Sequence, residues 1–275
     1  MADSPAAGRA PLAYENPRFL NSPDARLLRM AAEYLEPQSR LRRENIQDTI
    51  VFFGSARIHS AESAAAPADS PHARDLARYY EDARELARRL TLWADALPSR
   101  RRRFVITSGG GPGIMEAANR GAAEAGGKTI GFNIRLPFEQ VPNPFISPAL
   151  NFEFHYFFMR KFWFAYPAKA LIAFPGGFGT LDELMEMLTL VQTQKLNKKI
   201  VILLYGRGYW EEIINFKALA AWGTISSSDL DLFHTADSPQ EAFDVVTAAL
   251  DALYLKPTAP LPAEDESPAI ARTRG

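Results

Sequence analysis

The chain has 275 residues, 47% of them hydrophobic, a formal net charge of −1 and no cysteine. That size and apolar content suffice for one large α/β domain. The balanced charge argues against a field that steers nucleic acid, and the missing thiols exclude disulfides, cysteine nucleophiles and thiolate-bound zinc. No run reaches the roughly 18 apolar residues that span a bilayer, and no basic stretch followed by an apolar core opens the chain. A soluble cytoplasmic protein, without a membrane or nucleic-acid polymer as partner, is the expectation.

Residues 1–22 are rich in Ala, Pro and Gly and lack periodicity, which predicts a mobile tail. Leu27, Leu28, Ala31, Tyr34 and Leu35 recur on one helical face, giving a helix over 24–45. A short apolar strand at 49–53 runs into Gly54-Ser55-Ala56-Arg57. The Ala/Ser/Pro-rich stretch 58–71 reads as a loop, 72–97 as a long amphipathic helix, and 104–107 as a strand. Arg100, Arg101, Arg102 and Arg103 just before that strand read as a solvated basic loop. The strand enters the turn Ser108-Gly109-Gly110-Gly111-Pro112-Gly113. A helix over 112–125 follows, with Pro112 at its first position and Gly126-Gly127 ending it. Next come a strand at 128–134, a proline-spaced loop at 135–150, a short strand at 151–154 and a helix at 156–166. A strand at 169–174 leads to a second turn, Pro175-Gly176-Gly177-Phe178-Gly179-Thr180, and a helix over 180–195. The remaining elements are a buried strand at 199–205, a helix at 209–222 and an edge strand at 230–235. A capping signature at Ser238-Pro239-Gln240-Glu241 opens a final helix to about 254, and 256–275 reads as a second tail.

Strands alternating with helices predict a doubly wound, Rossmann-like parallel sheet, with one domain over 23–255. Both glycine turns connect a strand to a helix, so both fall at the strand C-termini where such sheets bind ligands. Glycine permits close backbone approach, and a helix start offers free N–H groups and a positive dipole end. Two such turns predict a phosphorylated ligand.

Familiar nucleotide fingerprints fail. G-x-G-x-x-G would need glycine where Ile114 or Asp182 stands, and G-x-x-x-x-G-K-[ST] would need it at Ala122. The histidines, His59, His72, His155 and His234, show no metal-ligand spacing. Nothing calls for a metal or organic cofactor.

Pro175, Gly176, Gly177, Gly179, Thr180 and Glu183 spell P-G-G-x-G-T-x-x-E, and the preceding helix carries Arg160-Lys161. Together with Gly109–Gly113, Ile114, Met115 and Glu116, these residues resemble the LOG family of phosphoribohydrolases over roughly 48–255. Short members have Met-His-x-Arg-Lys where this chain has Phe157-Phe158-Met159-Arg160-Lys161. Phe-Phe-x-Arg-Lys is similar to the longer bacterial subgroup and leaves the preferred base open.

The resemblance implies hydrolysis of the N-glycosidic bond of a nucleoside 5′-monophosphate, AMP or a relative, to free base and ribose 5-phosphate. Arg160 and Glu183 are the implied catalytic pair. Gly54, Ser55, Gly109, Gly110, Gly111, Gly113, Lys161, Gly176, Gly177, Gly179 and Thr180 are the implied phosphate and ribose contacts, with Arg57 and Glu116 as further candidates. The family forms dimers or larger assemblies, and the aromatic helix at 156–166 is an expected interface element. Three other readings stay open. Thr180 and Glu183 also spell a capping box that would turn the acid back on its own helix. The pocket could hold a nucleotide or phosphorylated cofactor without cleaving it, as relatives that carry molybdenum cofactor do. The lysine decarboxylase label would need a lysine Schiff base to pyridoxal phosphate, for which no lysine stands in a recognisable setting.

Overall fold

A strand covered by helices on both faces has no solvent side, so its sequence runs apolar without alternation. Thr49–Phe53 is such a run and forms β1, buried at every position. The computed structural model describes residues 10–60, 73–136, 141–196 and 198–256. A short helix α1 (Pro17–Leu20) and then α2 (Arg26–Arg43) precede β1. The chain continues through α3 (Ala73–Asp95), β2 (Val105–Ser108), α4 (Ile114–Glu124), β3 (Thr129–Ile134), β4 (Asn151–Phe154), α5 (Phe157–Ala165) and β5 (Ala168–Ala173). It ends with α6 (Phe178–Gln192), β6 (Val201–Tyr205), α7 (Arg207–Ile213), α8 (Phe216–Ala221), β7 (His234–Ala236) and α9 (Pro239–Leu250).

The seven strands form one sheet in the order β4-β3-β2-β1-β5-β6-β7, every neighbouring pair parallel. The chain steps outward from β1 to β4, crosses back to β5 on the other side of β1, and steps outward again. The order therefore reverses between β1 and β5, the place where open α/β sheets leave a crevice beyond the strand ends. Successive side chains alternate faces. Ile50 and Phe52 pack with α3, α4 and α9; Val51 and Phe53 pack with α2, α5, α6 and α7. The predicted doubly wound class is observed.

Several element boundaries differ from expectation, each for a local reason. Phe104 is buried with φ +55°, its N–H donating to Asp48, so β2 starts one residue later than expected. Gly113 is the N-cap of α4 with φ +72°, which places Pro112 outside the helix rather than at its first position. The helix expected at 180–195 starts earlier, at Phe178 with Gly177 as N-cap, because Thr180 N–H already donates to the Gly177 carbonyl. The helix expected at 209–222 breaks at Ile214-Asn215, where the Asn215 side chain caps α8. Residues 227–232 form a 3-10 helix, leaving only His234–Ala236 as edge strand. Ser238 caps α9 by accepting from Glu241 N–H, but Glu241 reaches the amide of Asp237 instead of Ser238. Within the expected N-terminal tail, residues 13–15 form a 3-10 turn and Asn16 caps α1. Residues 1–9, most of the loop expected at 58–71 and nearly all of the expected C-terminal tail lie outside the described residues.

The N-terminal helix is fastened to the body through α5. The Glu33 carboxylate accepts from the amides of His155 and Tyr156 at 2.7 and 3.2 Å, just ahead of α5. Its carbonyl accepts from Trp163 Nε1 at 3.0 Å. Arg40 donates to the carbonyls of Ala149 and Asn151 around the start of β4.

Candidate active site

Three neighbouring strands, β2, β1 and β5, end in the three turns singled out by sequence, and backbone bonds tie those turns together. Ser55 N–H donates to the Pro175 carbonyl at 3.0 Å, and Ser55 O accepts from Ile114 N–H at 3.1 Å. Close contact enforces glycine at the junctions. A Cβ on Gly113 would meet Ser55 O at 2.3 Å, and one on Gly176 would meet Thr180 Oγ1 at 2.1 Å. Ser55 thus joins the turns to one another, and its amide is committed to that role.

The first turn rests on a buried polar network that no short sequence motif reveals. Gly110 has φ +76°, and its N–H donates to Ser108 Oγ at 3.0 Å. Ser108 Oγ donates to Asn119 Oδ1. Asn143 donates from Nδ2 to the carbonyls of Gly110 and Gly111, and from its own amide to Gly110 O. With the carbonyls drawn inward, the turn is locked from behind. No short motif contains Asn143; its place between prolines in the 135–150 loop was the available signal.

The second turn is held differently. Tyr209 Oη donates to the Gly176 carbonyl at 2.8 Å. Gly177 has φ −82° and Gly179 lies in the first turn of α6, so neither needs a left-handed backbone. A Cβ on either would meet nothing within 4 Å. The amides of Phe178 and Gly179 lack intrahelical acceptors, as at any helix start.

One and a half turns into α6 lies Glu183, 5% exposed. With the helix starting at Phe178, Glu183 is its sixth residue and cannot close a capping box with Thr180; the N-cap, Gly177, has no side chain. Asp182 moves with it, from the expected first turn to the second. Arg160 approaches from α5, with Nη2 at 3.5 Å from Glu183 Oε1. Lys161 Nζ lies 3.8 Å from Glu183 Oε2 but closer to Asp182 (2.8 Å) and Glu186 (2.7 Å). Burial pushes the Glu183 carboxyl up to about 7, against the opposing pull of Lys161 and Arg160. Burial likewise lowers the Arg160 pKa, offset in part by Glu183. For Lys161 burial also opposes charge, but hydrogen bonds to Asp182 and Glu186 outweigh it and the net shift is upward. Among the described residues, Arg160 Nε is buried without a hydrogen-bond partner.

Of the expected contacts, the structure brings Gly54, Ser55, Gly109–Gly113, Gly176, Gly177, Gly179 and Thr180 to one edge of the sheet, with Arg160 and Glu183 on the helices flanking the second turn. The Lys161 ammonium is shared among three carboxylates. Glu116 accepts from Tyr80 Oη at 2.8 Å. Arg57 is exposed, and its amide donates to Ser55 Oγ.

Residues 115–246 match the family model described as "Possible lysine decarboxylase". A "Probable cytokinin riboside 5'-monophosphate phosphoribohydrolase" of Oryza sativa subsp. japonica is 32% identical over 114 residues, covering 41% of this chain and 45% of that protein. A "Cytokinin riboside 5'-monophosphate phosphoribohydrolase" of Arabidopsis thaliana is 30% identical over 148 residues, covering 51% of this chain and 61% of its own length. Over that part of its length the chain is similar to these LOG phosphoribohydrolases. Its matches span about half of the first curated LOG relative and no more than 66% of the next. Among solved structures, the molybdenum cofactor binding protein from the phototrophic bacterium Rippkaea orientalis aligns over 74% of this chain and 98% of its own, at 19% identity and a TM-score of 0.46. The molybdenum cofactor carrier protein from Chlamydomonas reinhardtii aligns over 76% of this chain and 99% of its own, at 21% identity and a TM-score of 0.47. The family-model match takes in Arg160, Lys161, the second glycine turn and Glu183, and begins just past the first glycine turn.

Proposed function

We propose that the chain is a hydrolase that cleaves the N-glycosidic bond of nucleoside 5′-monophosphates, AMP or a close relative. The observation that carries this reading is the nearly buried Arg160–Glu183 pair beside the tied glycine turns. The names of the LOG relatives point the same way. Gly177 and Gly179 add support, because neither backbone conformation nor packing asks for glycine there, whereas close approach of a phosphate does.

In this reading the phosphate sits against the amides of the turns and fixes the ribose over α6. As the C1′–N bond breaks, positive charge grows on the ribose and the base leaves with the bonding pair, as in glycoside hydrolysis. Glu183 offsets the charge on the sugar and takes a proton from the attacking water, whose oxygen bonds to C1′. The departing base takes up that proton. A carboxyl that titrates near neutrality can accept and return a proton with little driving force lost in either direction. Arg160 places positive charge where the departing base becomes negative; one preorganised donor of this kind is worth roughly 2.7–4 kcal/mol. Its orphaned Nε, an arrangement that costs about 1–3 kcal/mol, gains an acceptor when substrate arrives.

Self-association belongs to the same proposal. Phe157 and Phe158 are about half exposed on α5, and Phe178 is 92% exposed at the start of α6, so a second copy would cover apolar surface at the rim of the site. Incubating the full chain with AMP and measuring adenine and ribose 5-phosphate tests the reaction. Absence of base release from AMP, GMP, CMP and UMP alike, with binding retained, would replace the hydrolase with a carrier. Sedimentation velocity tests the assembly, and a monomer at micromolar concentration would remove that part.

A further inference from the structure

Asp182, Glu183 and Glu186 lie on one helix, but they divide between two environments. Asp182 and Glu186 are four residues apart, on one exposed face. Glu183, next to Asp182 in sequence, turns about 100° away into the interior between α5 and α6. The Lys161 ammonium stands at the boundary. It is within hydrogen-bonding distance of Asp182 Oδ2 (2.8 Å) and Glu186 Oε2 (2.7 Å), yet 3.8 Å from Glu183 Oε2. The other oxygen of Glu183 faces Arg160 at 3.5 Å. Those four groups, Arg160 and Lys161 from α5 with Asp182 and Glu186 from α6, are the charges that act on Glu183.

We infer that Asp182 and Glu186 are positioning residues: by holding the Lys161 ammonium between them, they keep it from closing a tight ion pair with Glu183 and leave that carboxyl free to exchange a proton. Removing either surface carboxylate acts twice in the same direction. It deletes a negative charge near Glu183, and it frees the ammonium to move onto Oε2. Both favour the ionised form. Removing Lys161 acts the opposite way. The inference takes Glu183 as the working acid of the proposed hydrolase, but its physical content, the control of one carboxyl by its neighbours, can be read without turnover.

The test is a titration of the full chain carrying ¹³C-labelled glutamate, followed by NMR, with the Glu183 carboxyl resonance assigned by its loss in Glu183→Gln. Asp182 and Glu186 are 59% and 40% exposed in their side chains, so neutral replacements leave the core untouched. Glu186→Gln is expected to lower the Glu183 midpoint by about one pH unit, the size of effect that a nearby charge exerts. Asp182→Asn lowers it less, Glu186→Asp restores it towards wild type, and Lys161→Met raises it. A midpoint that stays fixed or rises in Glu186→Gln overturns the inference. With AMP, the low-pH limb of kcat/KM should move with the NMR midpoint. Movement of the midpoint without AMP hydrolysis leaves the inference standing and sinks the hydrolase. Hydrolysis with a fixed midpoint does the reverse.

Discussion

The two glycine turns look alike in sequence and are built on different physics. In the first, glycine answers to the protein: Gly110 and Gly113 have φ of +76° and +72°, and added Cβ atoms would strike Asn133 Oδ1 at 2.2 Å and Ser55 O at 2.3 Å. In the second, Gly176 is packed against Thr180, but Gly177 and Gly179 have open space around them and ordinary backbone angles. The first turn is glycine-rich because the fold would otherwise break. In the second, neither packing nor backbone asks for glycine at Gly177 and Gly179, which is what the proposed ligand surface would look like.

The sharpest way to separate the turns is at the acid that follows the second. Glu183→Gln is expected to lower kcat for AMP by about 10²- to 10⁴-fold while AMP affinity, measured by calorimetry, changes little. If affinity collapses together with turnover, the acid is part of the grip rather than of the chemistry. Gly113→Ala should act in the opposite sense, destabilising the fold by about 3 kcal/mol or more through a backbone region that only glycine enters easily and a clash with backbone oxygen. A chemical denaturation midpoint close to wild type would show that the first turn has slack.

A smaller effect follows from the pH dependence of Glu183. In the folded chain its carboxyl titrates at about 7 against an ordinary 4.5. Between those values the folded state holds a proton that the unfolded state has released, so stability falls as pH rises through that window and stays lower above it. Relative to Glu183→Gln, the wild type should lose roughly 2–3 kcal/mol between pH 4.5 and 7.5, read as the difference between two urea titration series. Parallel stability curves would mean that Glu183 titrates alike in the folded and unfolded chain. The smallest expected change is at Gly177→Ala: stability within about 0.5 kcal/mol of wild type, with AMP affinity several-fold weaker. Unchanged affinity would leave the open space around Gly177 without a ligand to explain it.

Much of this was legible in the sequence. The strands at 49–53 and 151–154 were predicted to the residue, because apolar or alternating runs meet turn residues at both ends. The parallel sheet followed from the alternation of elements. The start of α6 was misread because Thr180 and Glu183 have the spacing of a cap, while the bond from Thr180 N–H to Gly177 O that settles the matter is made by backbone alone. The break at Ile214-Asn215 was hidden because apolar residues continue at helical spacing across it. Arg160 and Glu183 were paired through a family resemblance, since no periodicity tells which residues of two separate helices will meet. Asn143 was invisible for the same reason: its partners, Asn119 and the Gly110 and Gly111 carbonyls, lie 24 to 33 positions away.

The clamp that Glu33 makes on the front of α5 has a practical side. Residues 26–43 lie wholly before the stretch that matches the family, 115–246, so trimming by homology would discard them. A shortened version beginning at β1 would retain both glycine turns and both charged partners. It would nonetheless uncover the Phe162 and Trp163 rings, against which Tyr34 packs, and strip the acceptors from the amides that anchor the helix bearing Arg160. Such a fragment would pass inspection on paper and idle at the bench.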